Sequence, residues 1–174
     1  RQLRTALDAN AFVRHDTRDL SDTQLLQKLG AREAHPEGLF FPDTYRFAVN
    51  SSDLAMLRQA NSAMQSRLQK LWEERAPGLP FSNPYDALIF ASIVEKETGR
   101  NDERELIAAV FINRLKRGMR LQTDPTVIYG LGPAFDGNLR RRDLQTDNTY
   151  NTYTRYGLPP TPIAMPGEAS IRAT

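Results

Sequence analysis

Asn83-Pro84-Tyr85-Asp86-Ala87-Leu88-Ile89-Phe90-Ala91-Ser92-Ile93-Val94-Glu95-Lys96-Glu97-Thr98-Gly99 is the stretch around which the rest of the chain must fold. Residues 84–98 predict one helix, with Asn83 as its N-cap and Gly99 as its stop. At roughly 100° per residue, Ile89, Phe90, Ile93 and Val94 fall on a single apolar stripe. Glu97 continues the centre line of that stripe to within about 10° by the same arithmetic, whereas Glu95 points almost the opposite way. An acid at such a position is either salt-bridged where the helix meets solvent, or held at the rim of the core for proton chemistry. Buried there, at the negative end of a helix, it would hold its proton more tightly, as general acid catalysis requires.

Outward from this helix the sequence predicts a second one over 102–117, capped by Asn101 and ended by Gly118. Its expected buried face is Leu106, Ile107, Val110, Phe111 and Leu115. The two would pack as a central hairpin. Upstream, residues 1–12 and 21–29 read as short helices, the latter capped by Ser21 and stopped by Gly30. The aromatic, proline-broken run from Pro36 to Phe47 reads as a loop leading into a short strand. Residues 52–75 predict the longest helix, with Leu54, Leu57, Met64, Leu68, Leu71 and Trp72 facing inward. Beyond Gly118 the texture changes: residues 119–166 are rich in Thr, Asn, Tyr, Gly and Pro. Leu121-Gln122-Thr123 reads as a short strand, followed by an Asp124-Pro125 helix entry through Tyr129. A long irregular segment of amides, hydroxyls and tyrosines suits a sugar, which takes hydrogen bonds and flat faces. The fold class expected is α+β, mostly helical, with short strands and this segment forming one wall of a groove.

Composition narrows the function. The 174 residues are 40% hydrophobic and 25% charged, enough for a proper core and ordinary for a globular domain. The net charge is +2, and Arg140-Arg141-Arg142 is a basic run with no nucleic-acid-binding fingerprint around it, so nucleic acid is not an expected partner. With no cysteine, thiol catalysis and disulfides are excluded. His15 and His35 lie in separate polar segments without ligand spacing, so neither a metal nor another cofactor is expected. No apolar run reaches membrane-spanning length. Starting at Arg1 and stopping in a new helix after Pro166-Gly167, the chain reads as a fragment.

Several long motifs, in order, resemble one family. They are Glu37-Gly38 with Phe41-Pro42-Asp43-Thr44-Tyr45, Ala91 to Thr98, and Val110-Phe111-Ile112-Asn113-Arg114-Leu115. Gly118 to Gly130, Tyr150-Asn151-Thr152-Tyr153, Gly157-Leu158-Pro159-Pro160, Ile163-Ala164 and Pro166-Gly167 follow. Together these resemble the YceG-like endolytic murein (lytic) transglycosylases. The resemblance implies a catalytic domain over 37–174, truncated at its C-terminal end, preceded by an N-terminal helical part over 1–36.

What the resemblance implies about chemistry is specific. Such enzymes cut peptidoglycan glycan strands between N-acetylmuramic acid and N-acetylglucosamine without water, leaving a 1,6-anhydro end. One glutamic acid serves as acid and then as base. It maps onto Glu97, with Glu95 as the alternative. Gln122, Thr123, Asp124, Asn151 and Tyr153 become candidate glycan contacts, each with a loop-stabilising role as the rival reading. Glu37 leans to structure, and Arg114 is a candidate ion-pair partner for Glu97. The implied setting is the outer face of a bacterial cytoplasmic membrane, near cell-wall synthesis proteins, with anchoring through a segment absent from this chain. A water-using muramidase with Asp124 as base, and a non-catalytic wall-binding or scaffold domain, are the competing functions.

Overall fold

The computed structural model describes residues 2–174. Its described helices are α1 (Gln2–Asp8), α2 (Asp22–Leu29), α3 (Asp53–Glu73), α4 (Pro84–Glu97), α5 (Arg104–Lys116), α6 (Asp124–Leu131), α7 (Arg141–Gln145) and α8 (Glu168–Arg172). A two-residue parallel ladder joins β1 (Val13–Arg14) to β2 (Ser51–Ser52), in register Val13 to Ser51. The fold is thus α+β and mostly helical, as the sequence predicts. No described helix is long and apolar enough to cross a membrane.

Helix α4 forms where expected. Asn83 accepts the Asp86 amide, Pro84 occupies the first turn, and Thr98 leaves the helix in an extended conformation. It is more deeply set than a one-sided stripe implies: every residue from Ala87 to Val94 is buried. Helices α3, α5, α6 and α8 all pack on it. The expected hairpin of α4 and α5 is present, and α4 is its buried member, closed in by α3, α6 and α8 as well. Phe90, fully buried, stacks between Phe81 (5.0 Å) and Phe111 (6.5 Å, edge-on). Ser92, the buried polar residue of this run, donates to the Ile89 carbonyl and accepts the Ile163 amide at 2.9 Å. That bond sews the Pro-rich segment onto α4.

The other helices follow their sequence signals with instructive exceptions. Helix α2 has a full capping box between Ser21 and Gln24, and Gly30 closes it at φ 72°. Helix α1 is shorter than predicted, and Asn101 does not cap α5: its side-chain oxygen accepts from Arg104 instead. The face α5 buries is Arg104, Ala108 and Phe111, while Leu106 and Val110 are exposed. The predicted strands after Pro36 and at 121–123 do not form. Residues 36–47 stay irregular because the loop is tied by side chains and by single backbone bonds rather than by a ladder. Asn61 donates to the Leu39 carbonyl, the Phe41 amide to the Ala60 carbonyl, and the Tyr45 hydroxyl to the Phe41 carbonyl. Buried Asp53 anchors the N-terminal part, accepting the Asp16 and Thr17 amides and the Thr17 hydroxyl.

Gly38 shows how tightly the aromatic loop meets the C-terminal segment. It sits at φ 81°, and a Cβ there would lie 2.5 Å from the Pro162 side chain. Gly30, also at positive φ, faces open space. Gly38→Ala should destabilise the fold by upwards of about 2 kcal/mol, from left-handed strain and overpacking together. Gly30→Ala should cost about 1–2 kcal/mol, from strain alone. Urea unfolding of both variants checks this; equal losses would mean that the Gly38–Pro162 contact yields freely.

Candidate active site

The buried run of α4 ends at Val94, and the next turn carries two acids out of the core in different directions. Glu95 is absorbed by the protein. Its Oε2 accepts the Gly167 amide (3.1 Å) and the Ser170 hydroxyl (2.6 Å), and its Oε1 lies 3.9 Å from the Arg104 guanidinium. Arg104 is buried, donates to Ser170 Oγ at 3.0 Å, and also engages Asn101. Glu95 therefore locks α4, α5 and the start of α8 together. Its two carboxylate oxygens both have partners.

Glu97 does not continue a buried stripe, as its helical angle predicts; it is exposed. The helix ends at Glu97, and Thr98 follows in an extended conformation at φ −144° and is buried again. Exposed does not mean loose. Glu97 Oε2 accepts the Thr123 hydroxyl at 2.8 Å, and among the described residues no group donates to Oε1. One oxygen is held, and the other is free of protein donors on an exposed residue.

Thr123 can hold it because Thr123 is itself fixed. It is 1% exposed, its amide donates to Thr152 Oγ1 at 3.1 Å, and its carbonyl accepts the Thr126 hydroxyl at 2.8 Å. The Thr126 and Thr152 hydroxyls are 2.8 Å apart. The segment leading into α6 is thus tied to residues 151–153 through threonine side chains, which a search for strand or helix periodicity passes over. Repeated Thr in a polar stretch was the available signal.

Asp124 follows directly, at the first turn of α6. Its Oδ1 accepts the Tyr153 hydroxyl at 2.5 Å, rather than capping the helix. Burial, then the bond to Asp124, pushes the Tyr153 phenol up to about 12. The Glu97 charge adds to this rise and that of Arg114 opposes it, so all four groups share one electrostatic neighbourhood. Gln122 is exposed at φ 55°, an unusual conformation for a residue with a side chain, and its Oε1 accepts from Arg114 at 3.1 Å. The same Arg114 nitrogen donates to the Arg120 and Leu121 carbonyls, and Arg114 forms no ion pair with Glu97. Asn151 is buried with its amide engaged: it donates to the Asp143, Leu144 and Thr146 carbonyls and accepts the Tyr153 amide. Of the candidate glycan contacts, the structure brings Gln122, Thr123, Asp124 and Tyr153 together beside Glu97, and turns Asn151 inward to shape the loop behind them. Glu37 sits half-buried at the turn before Gly38, its amide donating to His35.

The site is an open surface. A cavity of about 530 Å³ is mostly apolar, lined by Leu3, Phe12, Phe40 and Phe47 among others, and includes none of the groups around Glu97. Among the described residues, Asp8, His15 and Asp53 bring metal-type donor atoms within 4.8 Å of one another. The Asp53 carboxylate already accepts three hydrogen bonds and that of Asp8 lies 3.6 Å from Arg18, so the group is built as part of the N-terminal anchor.

Comparison with known proteins bears directly on this arrangement. The sequence profile of the YceG-like family matches residues 1–174. An endolytic murein transglycosylase of Bacillus subtilis (strain 168) is 35% identical over 179 aligned residues, covering 99% of this chain and 48% of that protein. Endolytic murein transglycosylases of Streptococcus pneumoniae D39 and R6 are each 31% identical over 147 residues, covering 79% of this chain and 26% of theirs. The chain thus spans about half or less of the curated relatives it matches. A crystal structure of a yceG-like protein from Listeria monocytogenes superposes with a TM-score of 0.70 at 30% identity, covering 99% of this chain and 56% of that one.

The two acids should separate in stability measurements. Glu95→Gln weakens the charge-assisted bonds to Ser170 and Gly167 and leaves Arg104 buried without its carboxylate, and should cost about 1.5–3 kcal/mol in urea unfolding. Glu97→Gln should stay within about 0.5 kcal/mol of the parent, being exposed. Tyr153 provides a second check. Because its folded pKa is raised, its contribution to stability is present below pH 10 and fades between about pH 10 and 12. Burial raises Tyr85 and Tyr129 as well, so ultraviolet titration of the parent minus that of Tyr153→Phe isolates this group; it should ionise near pH 12, and Asp124→Asn should move that transition back toward 10. No change in the titration on Asp124→Asn would mean that burial alone sets it.

Proposed function

The chain belongs to the YceG-like family, and on that footing we propose that it is the catalytic region of a peptidoglycan lytic transglycosylase whose acid is Glu97. The observation that carries this reading is the Thr123–Glu97 bond. It fixes one carboxylate oxygen of an exposed acid and leaves the other without a donor from the described residues. The names of the relatives supply the substrate class, glycan strands of murein.

The chemistry then needs little else. Protonated Glu97 donates to the glycosidic oxygen between N-acetylmuramic acid and N-acetylglucosamine as the C1–O bond breaks. The muramic acid C6 hydroxyl attacks its own C1, and its proton passes to the Glu97 carboxylate, which restores the acid. Hydrolysis by a pair of carboxyls would need a second one about 5–5.5 Å or about 6.5–9.5 Å away, according to stereochemistry. Asp124 is the nearest candidate in sequence to Thr123, but Tyr153 occupies its Oδ1. An internal nucleophile removes that need and brings its own proximity. An open surface suits a polymer threading across it better than a closed pocket would. The setting that goes with this substrate is the outer face of a bacterial cytoplasmic membrane, beside the proteins that build the wall.

Mass spectrometry of glycan strands incubated with the chain tests the reading. The parent should release 1,6-anhydro-muramoyl ends, and Glu97→Gln should reduce their rate at least about 100-fold. Reducing ends instead would establish hydrolysis, with Asp124 as the base to examine. Activity surviving in Glu97→Gln but lost in Glu95→Gln, at equal folded fraction, would transfer the role to Glu95.

A further inference from the structure

Arginines that fold away from solvent in this protein come with carboxylates, and two do not. Among the described residues, six arginines are at least half-buried: Arg4, Arg67, Arg104, Arg114, Arg120 and Arg140. Arg4 pairs with Asp22, Arg67 with Asp43 and Glu168, Arg104 with Glu95, and Arg140 with Asp136. Arg114 and Arg120 have no carboxylate within ion-pair distance among the described residues. The Arg114 side chain reaches the backbone at Arg120, its Nη1 donating to the Arg120 carbonyl at 3.2 Å.

Arg120 is the more exceptional of the two. Its guanidinium lies 4.7 Å from the ring centre of Tyr156, and its Nε is buried without any hydrogen-bond partner. No other nitrogen of this side chain donates to a described group. Tyr156 is 67% exposed, a large ring left in solvent whose evident use is to hold this guanidinium flat. A planar, stacked arginine with unused donors is pre-organised for a carboxylate, which it can take through two parallel bonds. Burying the Nε–H without an acceptor is costly, and the remaining guanidinium nitrogens, which donate to no described group, are left for a partner from outside the chain.

Location narrows what that partner is. Arg114 and Arg120 flank the loop Leu121-Gln122-Thr123 whose last residue holds Glu97. On the muramoyl residue, the lactyl ether at C3 is carried by the same ring as the reacting C1, two carbons from it. This arm ends in a free carboxylate when the strand carries no peptide, and in a peptide bearing carboxylates when it does. The nearby charges of Glu97 and Asp124 would repel such a group unless cations stood beside them.

We infer that Arg114 and Arg120, the latter held by Tyr156, form a subsite that binds a carboxylate carried on the muramoyl side arm of the glycan. The inference rests on the transglycosylase reading for its choice of ligand. It makes strand recognition dependent on charge, so that side arms stripped of carboxylates are poor ligands.

Binding rather than turnover tests it, with fluorescence anisotropy of end-labelled strands on the Glu97→Gln form of this chain. Two strands are used, one bearing peptides and one stripped to free lactate, each also with its carboxylates capped as methylamides. Capping should weaken binding roughly tenfold, the effect of losing one partly exposed charge-assisted pair. Arg120→Gln should weaken the uncapped strands by a similar factor and leave the capped ones unchanged, with partial recovery in Arg120→Lys. Tyr156→Leu, which removes only the platform, should give a smaller loss in the same pattern. Dependence on Arg120 for the peptide strand alone assigns the carboxylate to the peptide, and for the stripped strand alone to lactate. Equal binding of capped and uncapped strands, an equal loss on all of them in Arg120→Gln, or no binding of any strand overturns the inference. Anhydro ends formed by the parent without charge-dependent binding would leave the reaction standing and remove the subsite. Charge-dependent binding without anhydro ends from the parent would do the reverse.

Discussion

Burial of α4 on every side is the constraint from which the rest of this structure follows. From Ala87 to Val94 the helix has no face left for solvent, and α3, α5, α6 and α8 close around it. Such a helix cannot shift without opening several interfaces at once, because close-packed side chains leave no slack. Even its buried hydroxyl, Ser92, bridges to the Ile163 amide of a distant segment. Whatever extends from the end of this helix therefore inherits a fixed position.

Two acids extend from it, two residues apart, and their surroundings give them different work. Glu95 turns toward α8, where the Gly167 amide, the Ser170 hydroxyl and Arg104 surround it. Glu97 turns toward the α6 entry, where a single threonine hydroxyl holds one oxygen. The distinction is set by what stands opposite each side chain. For the proposed reaction the difference matters, because an acid must be oriented yet keep a free oxygen, which Glu97 does and Glu95 does not.

The segment after α5 supplies that support with little regular structure beyond short helices. Its rigidity comes from side chains bonding to backbone: Asn151 gathers three carbonyls, Thr126 and Thr152 meet between strands of irregular chain, and Arg114 clamps the carbonyls of Arg120 and Leu121. Each bond is modest by itself, but the donors and acceptors are buried and mutually satisfied, and such networks define one conformation. Gln122 is held at positive φ within this frame, a local strain that the Thr152 carbonyl and Arg114 together sustain.

The sequence by itself determined the helices whose ends are written in short-range chemistry, as in the Asn83 cap, the Ser21–Gln24 box and the Gly30 stop. It also marked Glu97 as the acid of interest, together with the order of motifs that identifies the family. These are local matters, fixed by residues within a few positions of one another. Which acid is bonded into the protein and which stays open is settled by the packing of distant segments, because helical angle describes a direction and not what lies along it. The same limit explains Leu106 and Val110, apolar at helical spacing yet exposed, and the strands that irregular hydrogen bonding replaced. For the same reason nothing in the sequence sets Arg120 apart from a surface arginine. Partners far apart in the chain, or outside it, leave no period in the sequence, and burial depends on all of them at once.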